Sequence, residues 1–290
     1  MKVTIDRFAG FCFGVENAIQ KTEEELGKPG KLFSLGDIVH NDPEIERLTK
    51  LGLATLSHQE FEQLIDARVM IRAHGEPPKT YEEARQRKIR LINATCPIVR
   101  KLQGKIAVVF AEMEQVNGII LIYGKKGHPE VVGLEGQTNN KALVILAERD
   151  LKGIDFSKPI RLFSQTTMSL SGYEGMKAII QKKMAETNPG KIPDFKAFNS
   201  ICGQMSRREP ELRKFAKSHD VMIFVSGKNS SNGRFLFEIS QDVNPKSWMV
   251  SDKKELRREW FKGAKSAGVS GATSTPLWLL RDIAKTIEDF

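Results

Sequence analysis

The stretch "KVTIDRFAGFCFGVENAIQKTEEEL", residues 2 to 26, contains a β-branched apolar run, a glycine-flanked loop carrying Cys12, and a helical pattern from Val15 to Leu26. Strand end, cysteine and helix start follow one another closely. The same succession recurs twice. Cys96 ends the strand-like run "IRLINAT" and precedes Pro97, a favoured first helical residue, and Cys202 follows "FKAFNS" ahead of another helical run. Three matched contexts, each about a third of the chain from the next, predict three similar α/β lobes that each contribute one thiol to a common centre.

The rest of the chain has the same texture. Short apolar runs such as "KLFSL", "RVMIRA", "GIILIY", "ALVIL", "IRLFS", "VMIFVS" and "SWMVS" alternate with charged stretches of helical period. The helical patterns include Tyr81 to Lys88, Met176 to Ala185 and Pro210 to Ser218. The lobes are expected over residues 1–96, 97–198 and 199–290. At 290 residues the chain is long enough for several compact units. No apolar run reaches the length of a membrane span, and "MKVTIDRFAG" lacks the apolar stretch of a secretory signal, so a cytoplasmic protein without a membrane partner is expected. Three widely spaced cysteines argue against a disulfide framework and for a reducing compartment. A net charge of +9 favours acidic partners. Lysine and arginine are mixed with glutamate along helical stretches, which reads as solvated surface better than as a nucleic-acid stripe.

The loops after the strands differ from ordinary turns. "SLGDIVHND", "RAHGEPP", "YGKKGHPEVVG", "FSQTT", "VSGKNSSNG" and "SGATSTP" combine glycines with hydroxyl, amide and imidazole groups. In α/β sheets ligands bind outside the carboxyl ends of strands, where helix starts offer N–H groups to anions. His40, His74 and His128 lie in these loops and suit an anion such as a diphosphate, whereas His58 and His219 lie in charged helical surroundings and read as surface. Glu130, two residues after His128, is either a dipole-compensating helix start or, if buried, a proton donor with a raised pKa. Asn229, Ser230, Ser231, Asn232, Thr273, Ser274 and Thr275 have the chemistry of helix caps, and capping and anion binding share one geometry. Neither a Walker A motif nor G-x-G-x-x-G occurs.

Taken singly, each cysteine is an ordinary small core residue; together, three thiolates suit an iron-sulfur cluster with one iron free of side-chain ligands. Phe11 and Phe13 would keep its surroundings dry, and Gly10 and Gly14 would let the backbone fold tightly around it. Zinc held by three thiolates and a fourth ligand is the competing reading, although no C-x-x-C pair is present. A zinc hydrolase using His128 and a basic binding module for RNA or a phosphorylated ligand are the functional alternatives.

The ordered motifs "GFCFGV", "LGDIVHN", "IRAHG", "ATCP", "GHPEVVG", "SQTT", "KNSSN" and "GATSTP" span nearly the full chain. In this set the sequence resembles the 4-hydroxy-3-methylbut-2-enyl diphosphate reductases of the non-mevalonate isoprenoid pathway. The resemblance implies an oxidoreductase with three α/β lobes in a pseudo-threefold arrangement around a 4Fe-4S cluster bound by Cys12, Cys96 and Cys202. It further implies reductive removal of the substrate's hydroxyl to give isopentenyl and dimethylallyl diphosphates, with Glu130 delivering protons and Thr166 as its hydroxyl partner beside Gln165 and Thr167. His40, His74, His128, Thr166, Thr167, Ser230, Ser231, Asn232 and Ser274 match positions that hold the diphosphate substrate. A reduced ferredoxin or flavodoxin is the implied electron donor, and its acidity suits the basic surface. Two departures stand out. Many members carry alanine and threonine shortly after the third cysteine where this chain reads "CGQMSRRE", and Leu277 stands after "STP" where an acidic residue is common. The first bears on hydrogen bonding to cluster sulfurs and hence on potential.

Overall fold

The computed structural model describes residues 1–228 and 230–290. Its strands are β1 (Lys2–Ile5), β2 (Leu32–Leu35), β3 (Leu53–Leu56), β4 (Arg68–Ile71), β5 (Arg90–Asn93), β6 (Ile119–Tyr123), β7 (Leu143–Ile145), β8 (Ile160–Ser164), β9 (Phe195–Ala197), β10 (Val221–Val225), β11 (Ser247–Val250) and β12 (Ser266–Gly271). The helices are α1 (Phe13–Leu26), α2 (Asp42–Lys50), α3 (His58–Phe61), α4 (Pro78–Gln86), α5 (Pro97–Gln115), α6 (Pro129–Gly136), α7 (Leu170–Thr187), α8 (Gly203–Lys217), α9 (Ser231–Val243) and α10 (Leu277–Glu288).

The strands form three four-stranded sheets, ordered β3-β2-β4-β5, β7-β6-β8-β9 and β11-β10-β12-β1. Each order is the same: a central pair, flanked on one side by the strand that lies between the two in the chain and on the far edge by a fourth strand. In the third sheet the fourth place is taken by β1, which runs parallel to β12 with Lys2 opposite Ser266 and Ile5 opposite Val269. Parallel pairing continues through β10–β12, β6–β8 and β2–β4. By contact density the chain divides into two compact units, Met1–Ala73 with Arg207–Phe290, and His74–Ser206.

Parallel strands covered on both faces read as continuous apolar runs, and β8 and β10 are buried along their whole length. In the first unit Val221, Ile223, Val225, Ala267 and Val269 pack against Leu279, Leu280, Ile283 and Ile287 of α10. Those four recur at helical spacing, so one face of α10 is apolar. Each such fully buried aliphatic side chain contributes on the order of 1.5–3 kcal/mol. In the second unit Leu121, Ile160 and Leu162 pack with Tyr173, Met176, Ile180 and Met184 of α7, while Ile106 and Met113 of α5 join Val131, Leu134 and Phe163.

Two strands, β3 and β12, are not evident from apolar runs. In β12, "SAGVSG", the small residues are a packing requirement. A Cβ on Gly268 would stand 2.5 Å from the Met222 sulfur and 2.8 Å from the Phe215 ring. Helix α8 also differs from expectation: it begins at Gly203 and continues through Pro210. The buried side chains Met205, Leu212 and Ala216 anchor it on both sides of the proline. That packing offsets the hydrogen bond a proline cannot make.

Candidate active site

Repeated topology sorts the polar loops. His40 follows β2 and His74 follows β4; His128 and Glu130 follow β6, and Thr166 follows β8; Ser230 follows β10, and Ser274 follows β12. All stand beyond the carboxyl ends of the central strand pairs, where the strand order reverses and α/β sheets bind ligands. Each cysteine instead follows the fourth strand of a sheet: Cys12 after β1, Cys96 after β5 and Cys202 after β9.

In the unit 74–206 the most pronounced feature is Glu130. The β6–α6 turn makes His128 the N-cap of α6, and its Nδ1 accepts the backbone N–H of Glu130 at 3.1 Å. Neutral His128 therefore carries its proton on Nε2. Glu130 is 2 % exposed. Its Oε1 accepts the Thr166 backbone N–H at 2.7 Å and its Oε2 accepts the Thr166 hydroxyl at 2.8 Å. Burial pushes the Glu130 carboxyl up to about 7, against the pull of both Thr166 bonds. At neutral pH the group is poised to give or take a proton. The Thr166 carbonyl in turn accepts the Cys202 N–H at 2.8 Å, which ties the third cysteine to the same loop. Gln165 is wholly buried, donating to the Thr167 hydroxyl at 2.9 Å and accepting from the Lys125 N–H at 3.1 Å. The His74 and His128 rings stand 5.3 Å apart, edge to face.

Gln103 of α5 is a residue that sequence reasoning missed. It is buried and donates from Nε2 to the Glu76 carbonyl at 3.5 Å. A Cβ on Gly75 would lie 2.7 Å from that nitrogen, and one on Gly133 2.8 Å from it. The glycines of "AHGE" and "VVGL" thus leave room for one amide between the His74 turn and the Glu130 helix. Paired glycines in those two motifs are the only sequence signal for it. Cys96 caps the same α5, with the Arg100 N–H on its carbonyl at 2.9 Å.

In the unit formed by 1–73 and 207–290, Gly10 adopts φ +116°, a conformation open to glycine, and the chain then turns into Cys12, the N-cap of α1. The Cys12 N–H donates to the Thr273 carbonyl at 3.1 Å. Phe13 corrects one expectation: it is 61 % exposed at the first position of α1. Phe11 is half-buried. His40 is half-buried, and burial, with Arg72 nearby, holds its pKa down while Asp37 opposes. Its carbonyl sits against Gly227. Ser230 caps α9 through the Gly233 N–H at 3.0 Å, and its hydroxyl lies 3.3 Å from that of Ser274. Asn232 and Ser274 are buried, Ser231 and Thr273 half-buried, and the Thr275 hydroxyl is committed to the Val225 carbonyl at 2.7 Å. Thr275 is therefore structural. Asn229 lies outside the described residues. His58 is exposed at the start of α3, while His219 is half-buried on the Phe215 ring and carbonyl, a structural role rather than a surface one.

The profile of the LytB protein family matches residues 3–288. This chain belongs to the LytB protein family. Within the LytB relatives, the 4-hydroxy-3-methylbut-2-enyl diphosphate reductase of Bacteroides fragilis is 48% identical over 290 residues, covering 99% of this chain and 98% of its own. A solved LytB-type structure, described as (E)-4-hydroxy-3-methyl-but-2-enyl diphosphate reductase, the terminal enzyme of the non-mevalonate pathway, superposes with a TM-score of 0.73 at 32% identity over the full length of both chains. The E-1-hydroxy-2-methyl-but-2-enyl-4-diphosphate reductase of Plasmodium falciparum superposes with a TM-score of 0.81 at 26% identity, covering 98% of this chain and 87% of its own. Among the described residues, no helix of this LytB chain is long and apolar enough to cross a membrane.

Proposed function

We propose that this chain reduces 4-hydroxy-3-methylbut-2-enyl diphosphate to isopentenyl and dimethylallyl diphosphates, using a 4Fe-4S cluster held by Cys12, Cys96 and Cys202. Family membership and the Glu130–Thr166 pair support this reading. The donor set fits such a cluster: all three thiols are half-buried, none is in a disulfide, and each stands where a helix begins. Helix starts favour thiolates, because their N–H groups and dipole stabilise negative charge. When bound, the cluster supplies Lewis acidity and electrons.

The chain's own residues supply binding and protons. His40, His74 and His128 receive the diphosphate, with Ser230, Ser231, Asn232, Ser274 and Thr167 adding hydroxyl and amide donors. Removing the alcohol as water consumes two electrons and two protons. A carboxyl buried at Glu130 holds a proton at its Oε atoms and keeps bulk water from it, while the Thr166 N–H and hydroxyl fix its plane. Electrons come from reduced ferredoxin or flavodoxin, acidic proteins that suit a chain of net charge +9. The reaction takes place in the cytoplasm.

The carrying observation is a buried carboxyl, raised to about 7 and gripped by both polar groups of Thr166. Glu130→Gln is expected to keep iron content and substrate affinity and to lose at least about a hundredfold in kcat, the usual scale of a general acid. Turnover assays with a reduced viologen beside equilibrium binding test this. Unchanged kcat removes Glu130 from the reaction.

A further inference from the structure

The carboxyl end of β12 and the loop that leaves it gather groups from three parts of one unit. Asp6, just past β1, donates its N–H to the Val269 carbonyl at 2.8 Å. Its carboxylate accepts the Ser270 hydroxyl at 2.8 Å and the Phe8 N–H at 2.9 Å. Cys12 is tied to the Thr273 carbonyl, and Arg208 of α8 donates from its guanidinium to the Gly271 carbonyl. Arg208 is 7 % exposed and Asp6 3 %.

A guanidinium stays charged in proteins, and burying it is unfavourable unless opposite charge faces it. Here one carbonyl bond is too little compensation, and the Arg208 Nε has no hydrogen-bond partner among the described residues. The guanidinium lies within electrostatic reach of Asp6 and of the Cys12 sulfur. Asp6 faces the guanidinium as an opposing charge, so the two groups bear on the site at Cys12 with opposite signs.

We propose that Arg208 is a positioning residue for the redox site, its buried positive charge, held at the Gly271 carbonyl two residues before the Thr273 carbonyl that anchors Cys12, making the bound cluster easier to reduce. This rests on the cluster reading given above. Taking up one electron from a low-potential donor makes the cluster more negative, so a fixed cation nearby favours the reduced form. A buried anion at the position of Asp6 acts in the opposite sense.

Anaerobically purified protein, poised over a series of potentials and read by electron paramagnetic resonance, tests the assignment. At a fixed poise near the midpoint, Arg208→Met is expected to lower the ratio of reduced to oxidised cluster about tenfold, or 59 mV for a one-electron couple. Arg208→Lys, which keeps the charge, is expected to stay within about threefold, and Asp6→Asn to raise the ratio. An Arg208→Met protein with full iron and an unmoved midpoint overturns the proposal. Should that variant fail to fold, Asp6→Asn decides: an upward midpoint supports the assignment, and an unmoved one overturns it. If the unmutated protein itself holds no iron, the cluster reading falls and this inference falls with it, an outcome distinct from a full cluster with an unmoved midpoint.

Discussion

Glu130 has its environment written into its titration. Its carboxyl, raised to about 7 in the fold, ionises near 4.5 when exposed. Below about pH 4.5 both states are protonated and its contribution to stability is fully present; as pH rises from there through 7 the unfolded state ionises while the folded state keeps its proton, and that contribution is lost. A shift of this size corresponds to about 3 kcal/mol. Glu130→Gln keeps the shape and both hydrogen-bond positions without the charge, since the Thr166 hydroxyl can turn to accept. The variant should therefore gain about 3 kcal/mol on the wild type between pH 5 and pH 8, measured by denaturant unfolding, whereas a constant difference between the two would contradict the buried-carboxyl account. Thr166→Val removes one bond that pulls the pKa down. The falling alkaline limb of its kcat profile should move to higher pH, and an unmoved limb would show that Thr166 does not tune the acid. At this scale the sequence was partly legible. Glu130 could be singled out as a proton donor only if buried, and burial comes from β6, β8 and α6 packing around it. Gln103 and Arg208 gave no such signal, because a buried amide and a buried guanidinium look like surface residues when read along the chain.

Elements are where glycine decides geometry. The turn after β10 approaches the loop after β2 so closely that a Cβ on Gly227 would stand 2.3 Å from the His40 carbonyl oxygen and 3.1 Å from the Asn41 Cα. Both are backbone atoms and cannot swing aside. Gly227→Ala is expected to cost about 1–3 kcal/mol of unfolding free energy and to raise KM for the diphosphate substrate through displacement of His40, with chemical denaturation and steady-state kinetics as the measurements. Unchanged stability and KM would mean that the loop yields freely. Most strands could be read from apolar runs because parallel strands are buried on both faces. Strand β12 could not, since close packing by Met222 and Phe215 selects glycine at position 268. The start of α8 was equally hidden, because Pro210 looks like a first helical residue until Met205, Leu212 and Ala216 are seen to be buried on both sides of it.

At the scale of the whole molecule, one strand order is used three times, and each use puts polar loops after the central pair and a cysteine after the fourth strand. The spacing of the cysteines carried that repetition into the sequence. What it could not carry is that β1 completes the sheet of β10, β11 and β12, since pairing between the two ends of a chain leaves no local pattern. The same repetition makes the proposed chemistry testable as a unit: if the three thiols hold one cluster, they should fail together. Iron content and the Mössbauer spectrum of anaerobically purified protein test this most directly, in the wild type and in Cys12→Ser, Cys96→Ser and Cys202→Ser. The account predicts a brown protein with about four irons per chain and loss of the intact cluster in every variant. A colourless wild type holding zinc or no metal, or any of the three variants keeping its full iron and spectrum, would contradict it.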